Sequence, residues 1–457
     1  MRTIVLALLS LALAAPAQAF CGFFVAGSND QLTNSASKVV LLRKDDHTVM
    51  TLSNNYQGPP ENFALVVPVP VVLHKKDVKT LPANVFDHID ALSAPRLVEY
   101  WERDPCAPLP PPMPMAAAAG GMMLGGNTRA RHASHGVTIE AQFVAGEYQI
   151  VILSAKDSGG LEIWLRENHY HLPVGAAQAL APYVREQSKF FVAKVDITKV
   201  HRDAHGVVVL SPLRFGFPQK ELRLPVRLGL LNANGPQDLL IYVLHPSSRF
   251  EAANYPNVFP PTNLEVTDAV RGNFASFYNQ LFDAALAQHQ GRGIVTEYAW
   301  QTTSCDPCPT PPLSPSDIAT LGGDQVAPQA MRTGWGYAGW VLTRLHARYD
   351  RKTLGEDLVF HEAPPIVGGR GMWNGSSEGD LAPKPSEVNN FQARYIIRHY
   401  WKGKVACKSP QWGVWGGPPD GSPEMVAARD LQSAPRGRVK LREVVNTQVP
   451  ALGLPGH

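Results

Sequence analysis

Two apolar runs joined by a short polar turn constrain the fold of this chain more than any other feature. Residues 39–42 and 48–52 are rich in Val, Leu and Thr, and residues 44–47 (Lys-Asp-Asp-His) separate them. Asp tolerates the backbone of a tight turn and hydrogen-bonds back to it. The pattern therefore predicts a β-hairpin.

A third apolar run extends this pattern. Residues 63–67 (Phe-Ala-Leu-Val-Val) follow the chain-breaking residues 58–60 (Gly-Pro-Pro). Three such segments in series predict an antiparallel meander with one buried face. Pro68 and Pro70 have no backbone N–H to donate, so we expect the third strand to end there or to lie at a sheet edge.

Most of the remaining ordered sequence has the pattern of short strands, with a few helical segments. Strands are expected at residues 137–144, 148–154, 189–195, 207–210, 213–217, 222–231, 239–245, 294–300, 340–349 and 391–399. Short helices are expected at residues 84–92, 95–101, 161–168 and 173–187. Together these segments predict a β-rich α+β fold with mainly antiparallel sheets.

The strongest helical signal lies at residues 268–290. Thr267 is placed to cap the start, and Gly291 stands where a helix commonly ends. Apolar side chains recur at the spacing of one helix face, at positions Phe274, Phe277, Tyr278, Leu281, Phe282 and Ala285. We predict one long amphipathic helix here, with its aromatic stripe packed in the core rather than around a cofactor.

Length and local composition divide the chain into five segments. Its 457 residues exceed the roughly 100–200 residues that are usual for one domain. We predict a signal peptide (1–19), an N-terminal β-meander module (20–106), a linker rich in Pro, Ala, Gly and Met (107–136), a central α+β domain (137–408) and a poorly structured C-terminal tail (409–457).

The first nineteen residues have the layout of a secretory signal peptide. Arg2 precedes an apolar run at residues 4–15, and residues 17–19 (Ala-Gln-Ala) place the cleavage between Ala19 and Phe20. The apolar run is shorter than the roughly 20 residues that a membrane-spanning helix needs. We therefore expect a periplasmic or secreted protein with no membrane span after signal removal.

Export changes how the cysteines are interpreted, because disulfides form and persist in oxidising compartments. The five cysteines are Cys21, Cys106, Cys305, Cys308 and Cys407. A Cys21–Cys106 bond would join the two ends of the N-terminal module, and Cys305 and Cys308 would close a small loop. Since five is odd, at least one cysteine is free, metal-bound or paired between molecules.

Five short segments carry a resemblance to a known family. They are residues 20–25 (FCGFFV), 58–70 (GPPENFALVVPVP), 95–101 (PRLVEYW), 104–106 (DPC) and 305–308 (CDPC). Together they resemble a family of exported bacterial proteins known as domain of unknown function 2330. The resemblance covers residue 21 to about residue 407 and implies an export context and a fold type. It implies no activity, so no catalytic residue follows from it.

The Cys305-x-x-Cys308 motif is the main candidate for chemistry. Two intervening residues let both sulfurs reach each other or one metal ion. A reactive thiol of the thioredoxin type needs a following helix, whereas residues 309–312 read Pro-Thr-Pro-Pro. We favour a disulfide-closed loop over a metal site built from Cys305, Cys308 and Cys407 with one histidine, and over redox catalysis.

Other motif matches lack the structural context that their chemistry requires. Residues 334–339 fit G-x-G-x-x-G, but Trp335 and Tyr337 would crowd a phosphate. Residues 375–379 fit G-x-S-x-G within a polar loop rather than a strand-turn-helix. Histidines occur in pairs at 169 and 171 and at 201 and 205, and next to Glu362 at His361, without the spacing of a metal-binding helix.

Charge and motif content favour a binding or structural role. The 42 basic and 39 acidic residues are dispersed, so the composition does not indicate a nucleic-acid partner. No cofactor is predicted, and enzymatic activity is left open but not favoured. We expect a non-catalytic, disulfide-stabilised protein that binds an envelope or extracellular ligand. The alternative is a thiol-disulfide or metal-handling protein centred on Cys305 and Cys308.

Overall fold

The computed structural model describes fifteen parts of the chain, and the account below concerns these parts. They are residues 23–24, 36–53, 64–108, 136–168, 170, 172, 174–202, 208–232, 236–306, 308–328, 340–350, 352–369, 381–418, 425–427 and 437–456. Strand accounts for 38% of the structure and helix for 24%, so the predicted β-rich α+β fold is confirmed.

The strands within the described residues are short, and few exceed eight residues. In chain order they are β1 Phe23–Phe24, β2 Ala36–Lys44, β3 His47–Ser53, β4 Ala64–Val69, β5 Val78–Thr80, β6 Arg96–Glu102, β7 Val137–Ala145, β8 Tyr148–Ala155, β9 Lys189–Val195, β10 His201–Arg202, β11 Val208–Val209, β12 Leu213–Pro218, β13 Leu222–Leu224, β14 Gln237–His245, β15 Arg249–Ala252, β16 Asn257–Val258, β17 Leu264–Glu265, β18 Ile294–Gln301, β19 Val341–Tyr349, β20 Leu358–Ala363, β21 Ile366–Gly368, β22 Lys384–Pro385, β23 Asn390–Gln392, β24 Arg394–His399, β25 Trp415–Gly416 and β26 Met425–Ala427.

Helices in the described parts connect the strands or cover the sheets. They are α1 Asn84–Ser93, α2 Ser158–Glu167, α3 Ala176–Arg185, α4 Phe274–Ala287, α5 Pro315–Ile318, α6 Asp324–Val326 and α7 Leu441–Val444. Single 3-10 turns occupy Lys75–Asp77, Arg227–Asn232, Asp268–Asn273 and Pro450–Leu452, and a π-helical turn occupies Ala319–Gly323.

A large mixed sheet forms the centre of the molecule. Its strands follow the order β22-β21-β23-β18-β19-β14-β2-β3-β12-β5, with β16 added beside β18. The hairpin expected at residues 39–52 is confirmed as β2 and β3, in antiparallel register from Lys38↔Ser53 to Lys44↔His47. Asp45 adopts a positive φ of 50° in the turn, a conformation that Asp tolerates better than most residues.

The expected meander is wrong at its third strand. β3 pairs with β12 instead of β4, and β4 lies in a separate five-stranded sheet of order β1-β4-β9-β8-β7. The apolar pattern of residues 63–67 correctly indicated a strand but could not indicate its partner, because every buried strand offers the same backbone groups. β4 continues through Pro68, which stands opposite Phe190 of β9.

The two sheets and the helices that cover their outer faces form four layers. One core fills the space between the central sheet and the five-stranded sheet. Helices α2 and α3 cover the outer face of the five-stranded sheet, and α1 and α5 cover part of the other face of the central sheet. Helix α4 packs in a third core with β24 and with Val445, Val449 and Leu454 near the C-terminus. Residues 437–456 therefore have a fixed place in the fold.

One expected helix is a strand. Residues 95–101 were predicted to be helical from the proline at the start, but they form β6, which pairs in parallel with β24. The run Leu97-Val98 is buried on this sheet, whose order is β17-β24-β6-β25. A partner some 300 residues away along the chain decided the conformation, and local propensity gave no sign of it.

The long amphipathic helix is partly supported. Its α-helical part is α4, which spans Phe274–Ala287, and Asp268–Asn273 before it form 3-10 turns. Gly272 and Asn273 are poor helix formers and lie at the junction. The predicted end of the helix is confirmed, because Gly291 has a φ of 72° and its N–H donates a hydrogen bond to the carbonyl of Leu286.

Candidate functional site

A cleft of about 490 Å³ lies where four separate segments of the chain meet. They are the end of β4, the end of α3, the β12–β13 connection and the residue before β20. The volume is within the range of about 300–1,000 Å³ that is typical of small-molecule sites. The lining residues are Pro68, Val69, Pro70, Tyr183, Glu186, Ser188, Gln219, Glu221, Arg223, Pro225 and Asp357. We call this the Asp357 cleft.

The local sequence of α3 places two of the lining residues. Ala176, Leu180 and Tyr183 form its buried stripe, so Tyr183 faces inward at the C-terminal end. Glu186 follows the last helical turn and is exposed. Gln187 then turns the chain with a φ of 58° and leads directly into β9. The helix thus presents a buried hydroxyl and an exposed carboxylate to the same cleft.

Asp357 is the most buried charged residue of the lining, with 6% of its surface exposed. Its Oδ1 accepts hydrogen bonds from Tyr183 Oη at 2.7 Å, Val226 N at 3.0 Å and Arg227 N at 3.3 Å. Three donors on one oxygen fix the carboxyl group firmly. Within the described residues no hydrogen bond reaches Oδ2.

Burial raises the pKa of Asp357 above its ordinary value. The hydrogen bonds from Tyr183 and from the backbone N–H groups act in the opposite direction, as does the Arg227 guanidinium, whose Nε lies 3.9 Å from Oδ1. Desolvation is the larger effect. A carboxyl group with a raised pKa on the wall of a cleft is a common property of functional sites.

Arg223 and two glutamates form the charged rim of the cleft. Arg223 lies 2.7 Å from Glu221 Oε2 and 3.4 Å from Glu186. The pKa of Arg223 is raised, chiefly by its hydrogen bond with Glu221. Among the described residues that line the cleft, three carry a carboxylate and Arg223 carries the one cation. Pro68, Pro70 and Pro225 add rigid apolar surface beside these charges.

A second group of polar, mostly ionisable side chains lies under α1 and α4, on the opposite side of the central sheet. We call it the buried charge network, and its members are Lys38, Asp90, Asp238, Tyr242, Tyr278, Asn279, Asp283, Glu297, Arg344, His346 and Arg348. Most of them are less than about one-tenth exposed.

Arg344 links the α1 end of the network to its centre. Its Nη1 donates to Asp90 Oδ1, and its Nε donates to Glu297 Oε2 at 2.6 Å. Asp90 also accepts from Lys38 Nζ and from Tyr242 Oη, both at 2.8 Å. Burial alone would raise the pKa of Asp90, but the Arg344 and Lys38 charges outweigh it and lower the pKa.

A β-bulge aims Glu297 into this network. The register of β18 against β19 shifts between Thr296 and Tyr298, so Glu297 is the extra residue. Its Oε1 lies 2.7 Å from His346 Nδ1 and accepts from Tyr278 Oη at 2.8 Å. The side chain is fully buried. The two neighbouring carboxylates, Glu297 and Asp238, raise the pKa of His346 against the opposing effect of burial.

Arg348 completes the network at α4. It forms a two-pronged pair with Asp238, with Nε–Oδ1 at 2.7 Å and Nη2–Oδ2 at 2.9 Å. It also donates to Asp283 at 2.7 Å and to Asn279 at 2.8 Å. Each of the network's four carboxylates lies within ion-pair distance of a described cation or of His346, whose raised pKa favours its protonated form. This dense pairing indicates a structural role.

The structure corrects the predicted cysteine pairing. Cys106 is bonded to Cys407 with Sγ–Sγ 2.14 Å, in place of the expected bond to Cys21. Cys21 lies outside the described residues, as do Ala19 and Phe20 at the predicted cleavage site. The reason is the parallel pairing of β6 with β24, which brings the ends of these two strands together.

Cys305 and Cys308 form the second disulfide, with Cα atoms 5.0 Å apart. Cys407 is bonded elsewhere, so the three sulfurs of the suggested metal site are not brought together. Among the described residues no three His, Cys, Asp or Glu side chains converge on a metal position. No described helix is both long and apolar enough to cross a membrane.

The remaining sequence candidates are separated from the cleft or lie outside the described residues. His361 is exposed and 3.5 Å from Glu251. The motifs at 334–339 and 375–379, and His169, His171 and His205, fall outside the described parts. Tyr183, Glu186 and Asp357 were not identified from the sequence, since their spacing matches no motif. The one available signal was the Pro68-Val69-Pro70 end of the family-like segment.

The fold is that of a β-rich α+β protein, and the Asp357 cleft is a concave site lined by charged and apolar side chains. The chain belongs to the family DUF2330, an uncharacterized protein conserved in bacteria, whose sequence model matches residues 15–361. No curated protein and no solved structure matches the chain. The matched region contains every residue of the Asp357 cleft, whereas Cys407 lies beyond it.

Proposed function

We propose that this protein is exported to the periplasm or beyond and binds a small ligand in the Asp357 cleft without transforming it. The observation that carries the proposal is a buried carboxyl group in the cleft lining that is fixed by three donors through one oxygen, while its other oxygen receives no hydrogen bond from the described residues. The signal-like N-terminus and the two disulfides support export, since disulfides persist in oxidising compartments.

The charges of the lining favour a cationic ligand. Asp357, Glu186 and Glu221 provide three carboxylates, and Arg223 is already paired with the two glutamates. An amine or guanidinium at Asp357 Oδ2 would neutralise a charge that burial disfavours. The proline walls are suited to a short aliphatic chain between charged ends. The proposed ligand class is therefore a small aliphatic amine or guanidine.

Thermal unfolding with a matched probe set tests this binding. Agmatine carries both cationic groups, 1,4-butanediol has a similar chain without charge, and succinate has the opposite charge. A ligand at 100 times its Kd stabilises the folded state by about 2.7 kcal/mol. We expect agmatine alone to raise the Tm. Equal shifts with all three compounds, or none with agmatine, would overturn the cationic-ligand proposal.

Two variants assign the effect to the cleft. Asp357→Asn should weaken agmatine binding by about tenfold or more, because a charge-assisted hydrogen bond is lost. Asp268→Asn removes a carboxylate that is 67% exposed on another element and should leave binding unchanged. Recovery of unaltered agmatine after prolonged incubation is expected for a binding protein. A product detected by mass spectrometry would instead establish an enzyme.

Export and disulfide pairing are tested together by fractionating a bacterial host that expresses the full chain. The protein should reach the periplasm or medium without residues 1–19. Peptide mapping before and after reduction should find Cys106 joined to Cys407 and Cys305 joined to Cys308. Retention in the cytoplasm with an uncleaved N-terminus would contradict the proposed location.

Thiol-disulfide exchange at Cys305 and Cys308 is the second candidate function. It is favoured by the exposure of Cys308, which leaves one sulfur of the disulfide open to attack. Against it, residues 309–314 contain no helix, and α5 begins only at Pro315. Reduction of insulin by the pre-reduced protein at a rate above that of dithiothreitol alone would establish exchange. Loss of the rate in Cys308→Ser would assign it to this pair.

A further inference from the structure

A loop rich in lysine and aromatic residues is held rigidly on the surface near the Cys106–Cys407 disulfide. We call residues 400–412 the lysine-aromatic loop. Its sequence, Tyr-Trp-Lys-Gly-Lys-Val-Ala-Cys-Lys-Ser-Pro-Gln-Trp, contains three lysines and no carboxylate. None of its residues lines the Asp357 cleft.

The loop concentrates the exposed apolar surface of the molecule. Eight large hydrophobic side chains are exposed in the described residues, and three of them lie here. Tyr400 is 53% exposed, Val405 40% and Trp412 55%, and no other aromatic side chain belongs to that group. Three such residues within one loop indicate a contact surface rather than scattered exposure.

One buried carboxylate holds both ends of the loop. Glu102 at the end of β6 accepts from Trp401 N at 3.0 Å through Oε2 and from Gly413 N at 2.8 Å through Oε1. Tyr400 and Trp412 are the residues immediately before these two positions. Tyr400 and Trp412 are therefore at the two ends of the loop, which one carboxylate holds close together.

The middle of the loop is also fixed. Cys407 is bonded to Cys106, and Gln411 N donates to Pro105 O at 2.8 Å. The ring of Tyr400 meets Trp415 edge-on with centroids 5.2 Å apart. A loop held at its ends and middle loses little conformational entropy when it docks on a surface.

Basic charge surrounds the apolar residues. Lys402, Lys404 and Lys408 are exposed, and none is in an ion pair with a described residue. Arg103 is also exposed and lies against Gly416 beside the loop. The neighbouring carboxylates are engaged in the protein: Glu102 binds the loop backbone, Asp104 accepts from Cys106 N, and Glu265 binds Arg398 and Tyr400. The complementary partner is therefore anionic.

We propose that the lysine-aromatic loop docks this protein on an anionic lipid surface. Trp and Tyr insert at the headgroup level, and lysines reach the negative surface potential of such a bilayer. Exposed Val405 lies among the lysines and adds apolar contact. This combination favours a lipid surface over a soluble polyanion, which would bind the lysines without needing the apolar side chains. The docking is peripheral and independent of the Asp357 cleft.

Cosedimentation of the purified mature chain with vesicles tests the proposal. The protein should bind phosphatidylcholine vesicles that contain phosphatidylglycerol and should not bind phosphatidylcholine alone. High salt should release it, because exposed charges are screened. Lys402→Gln with Lys404→Gln should weaken binding roughly 30-fold, since each lysine near the surface contributes appreciably. Lys75→Gln with Lys76→Gln makes the same charge change at an exposed distant turn and should have no effect.

A second pair of variants tests the apolar part. Trp412→Ser should weaken binding to the anionic vesicles, whereas Ile163→Ser, at a site that is 51% exposed on α2, should not. Asp357→Asn should bind vesicles as the wild type does, which separates this proposal from the cleft. Equal binding to neutral vesicles, or equal loss in both lysine pairs, would overturn the proposal. Retention on dextran sulfate without vesicle binding would overturn the assignment to lipid.

Discussion

The Asp357 cleft and the buried charge network each contain a deeply buried carboxyl group, but the pKa values of these two groups are shifted in opposite directions. Asp90 is 5% exposed and Asp357 is 6% exposed. Burial tends to raise the pKa in both places. In the network, Arg344 and Lys38 outweigh that effect and lower the pKa of Asp90. In the cleft, burial prevails and the pKa of Asp357 is raised.

This difference teaches how to separate structural from functional charge. A carboxylate that is fully paired by cations contributes to the folded state and has no capacity left for a ligand. Asp357 is held mainly by neutral donors, and the Arg227 guanidinium 3.9 Å away does not outweigh burial, so its ionised form is held at a cost to stability. Such costs are typical of sites that complete their interactions only with a ligand.

The largest effect is expected at the centre of the network. Arg344→Met removes the guanidinium that pairs with Asp90 and Glu297 and leaves two buried carboxylates short of countercharge. Breaking a buried pair in this way costs about 3–5 kcal/mol. Urea unfolding should show this loss in the free energy of unfolding. Arg166→Met removes an arginine that pairs with Glu162 at the surface and should cost less than about 0.5 kcal/mol.

If Arg344→Met lowered the free energy of unfolding by less than about 1 kcal/mol, charges in the network would contribute no more to stability than charges at the surface, which would contradict the comparison. Should that variant fail to fold, Lys38→Met provides a milder test at the edge of the network. Lys38 is 17% exposed and pairs only with the Oδ2 side of Asp90. We expect a loss that is smaller than that of Arg344→Met and larger than that of Arg166→Met.

The pH dependence of the network should follow His346. Its folded-state pKa is raised above the ordinary value near 6.5. The stability that it contributes is therefore fully present below about pH 6.5 and is lost as the pH rises through the folded-state pKa. His346→Gln should cost about 3 kcal/mol in mildly acidic solution, and the difference from the wild type should shrink in alkaline solution. A difference that is constant with pH would show that His346 is neutral in the folded protein.

A smaller effect is expected where the cleft carboxyl meets its hydroxyl donor. Tyr183→Phe removes the 2.7 Å hydrogen bond to Asp357 and should cost about 1 kcal/mol. Tyr170→Phe is the matched control, since Tyr170 is also buried and its hydroxyl makes no hydrogen bond to the described residues. Thermal unfolding measures both. Equal costs for the two variants would contradict the assigned role of Tyr183.

The sequence was sufficient for the elements with strong local patterns. Apolar runs joined by short turns correctly indicated the hairpins β2–β3 and β7–β8, a capped segment indicated α1, and helical spacing indicated the core of α4. The sequence could not predict which strands pair with each other. β4 pairs with β9 in another sheet and not within the predicted meander, and residues 95–101 form a strand, β6, because β24 pairs with them.

Strand β19 shows why the buried charge network could not be predicted from the sequence. Arg344, His346 and Arg348 alternate with Leu345 and Ala347, which is the pattern of a strand with one solvated face. The charged face is instead buried under α1 and α4, and the bulge at Glu297 supplies its countercharge. Neither the covering helices nor a bulge can be read from the strand itself.

The cleft could not be predicted for a different reason. Its lining comes from four segments spread over nearly 290 residues, from Pro68 to Asp357. No spacing rule relates Tyr183 to Asp357, and each residue alone resembles many others in the chain. The Pro68-Val69-Pro70 sequence was noted only as the end of a strand and a family resemblance. Its position in the cleft wall depends on the sheet that β4 joins.

The most direct test compares the stability of Asp90→Asn and Asp357→Asn over a range of pH. A lowered pKa stabilises above the unfolded value of about 3.9, and that contribution is lost as the pH falls through the folded-state pKa. A raised pKa stabilises below that value and is lost as the pH rises through the folded-state pKa.

At neutral pH we therefore predict opposite signs. Asp90→Asn should be less stable than the wild type by about 3 kcal/mol, whereas Asp357→Asn should be at least as stable as the wild type. The Asp357 difference should shrink as the pH falls toward 4, whereas the Asp90 difference should persist there and be lost only as the pH falls further, through the lowered folded-state pKa. Destabilisation of the same size by both substitutions at neutral pH would contradict the account, because Asp357 would then be a structural carboxylate like Asp90.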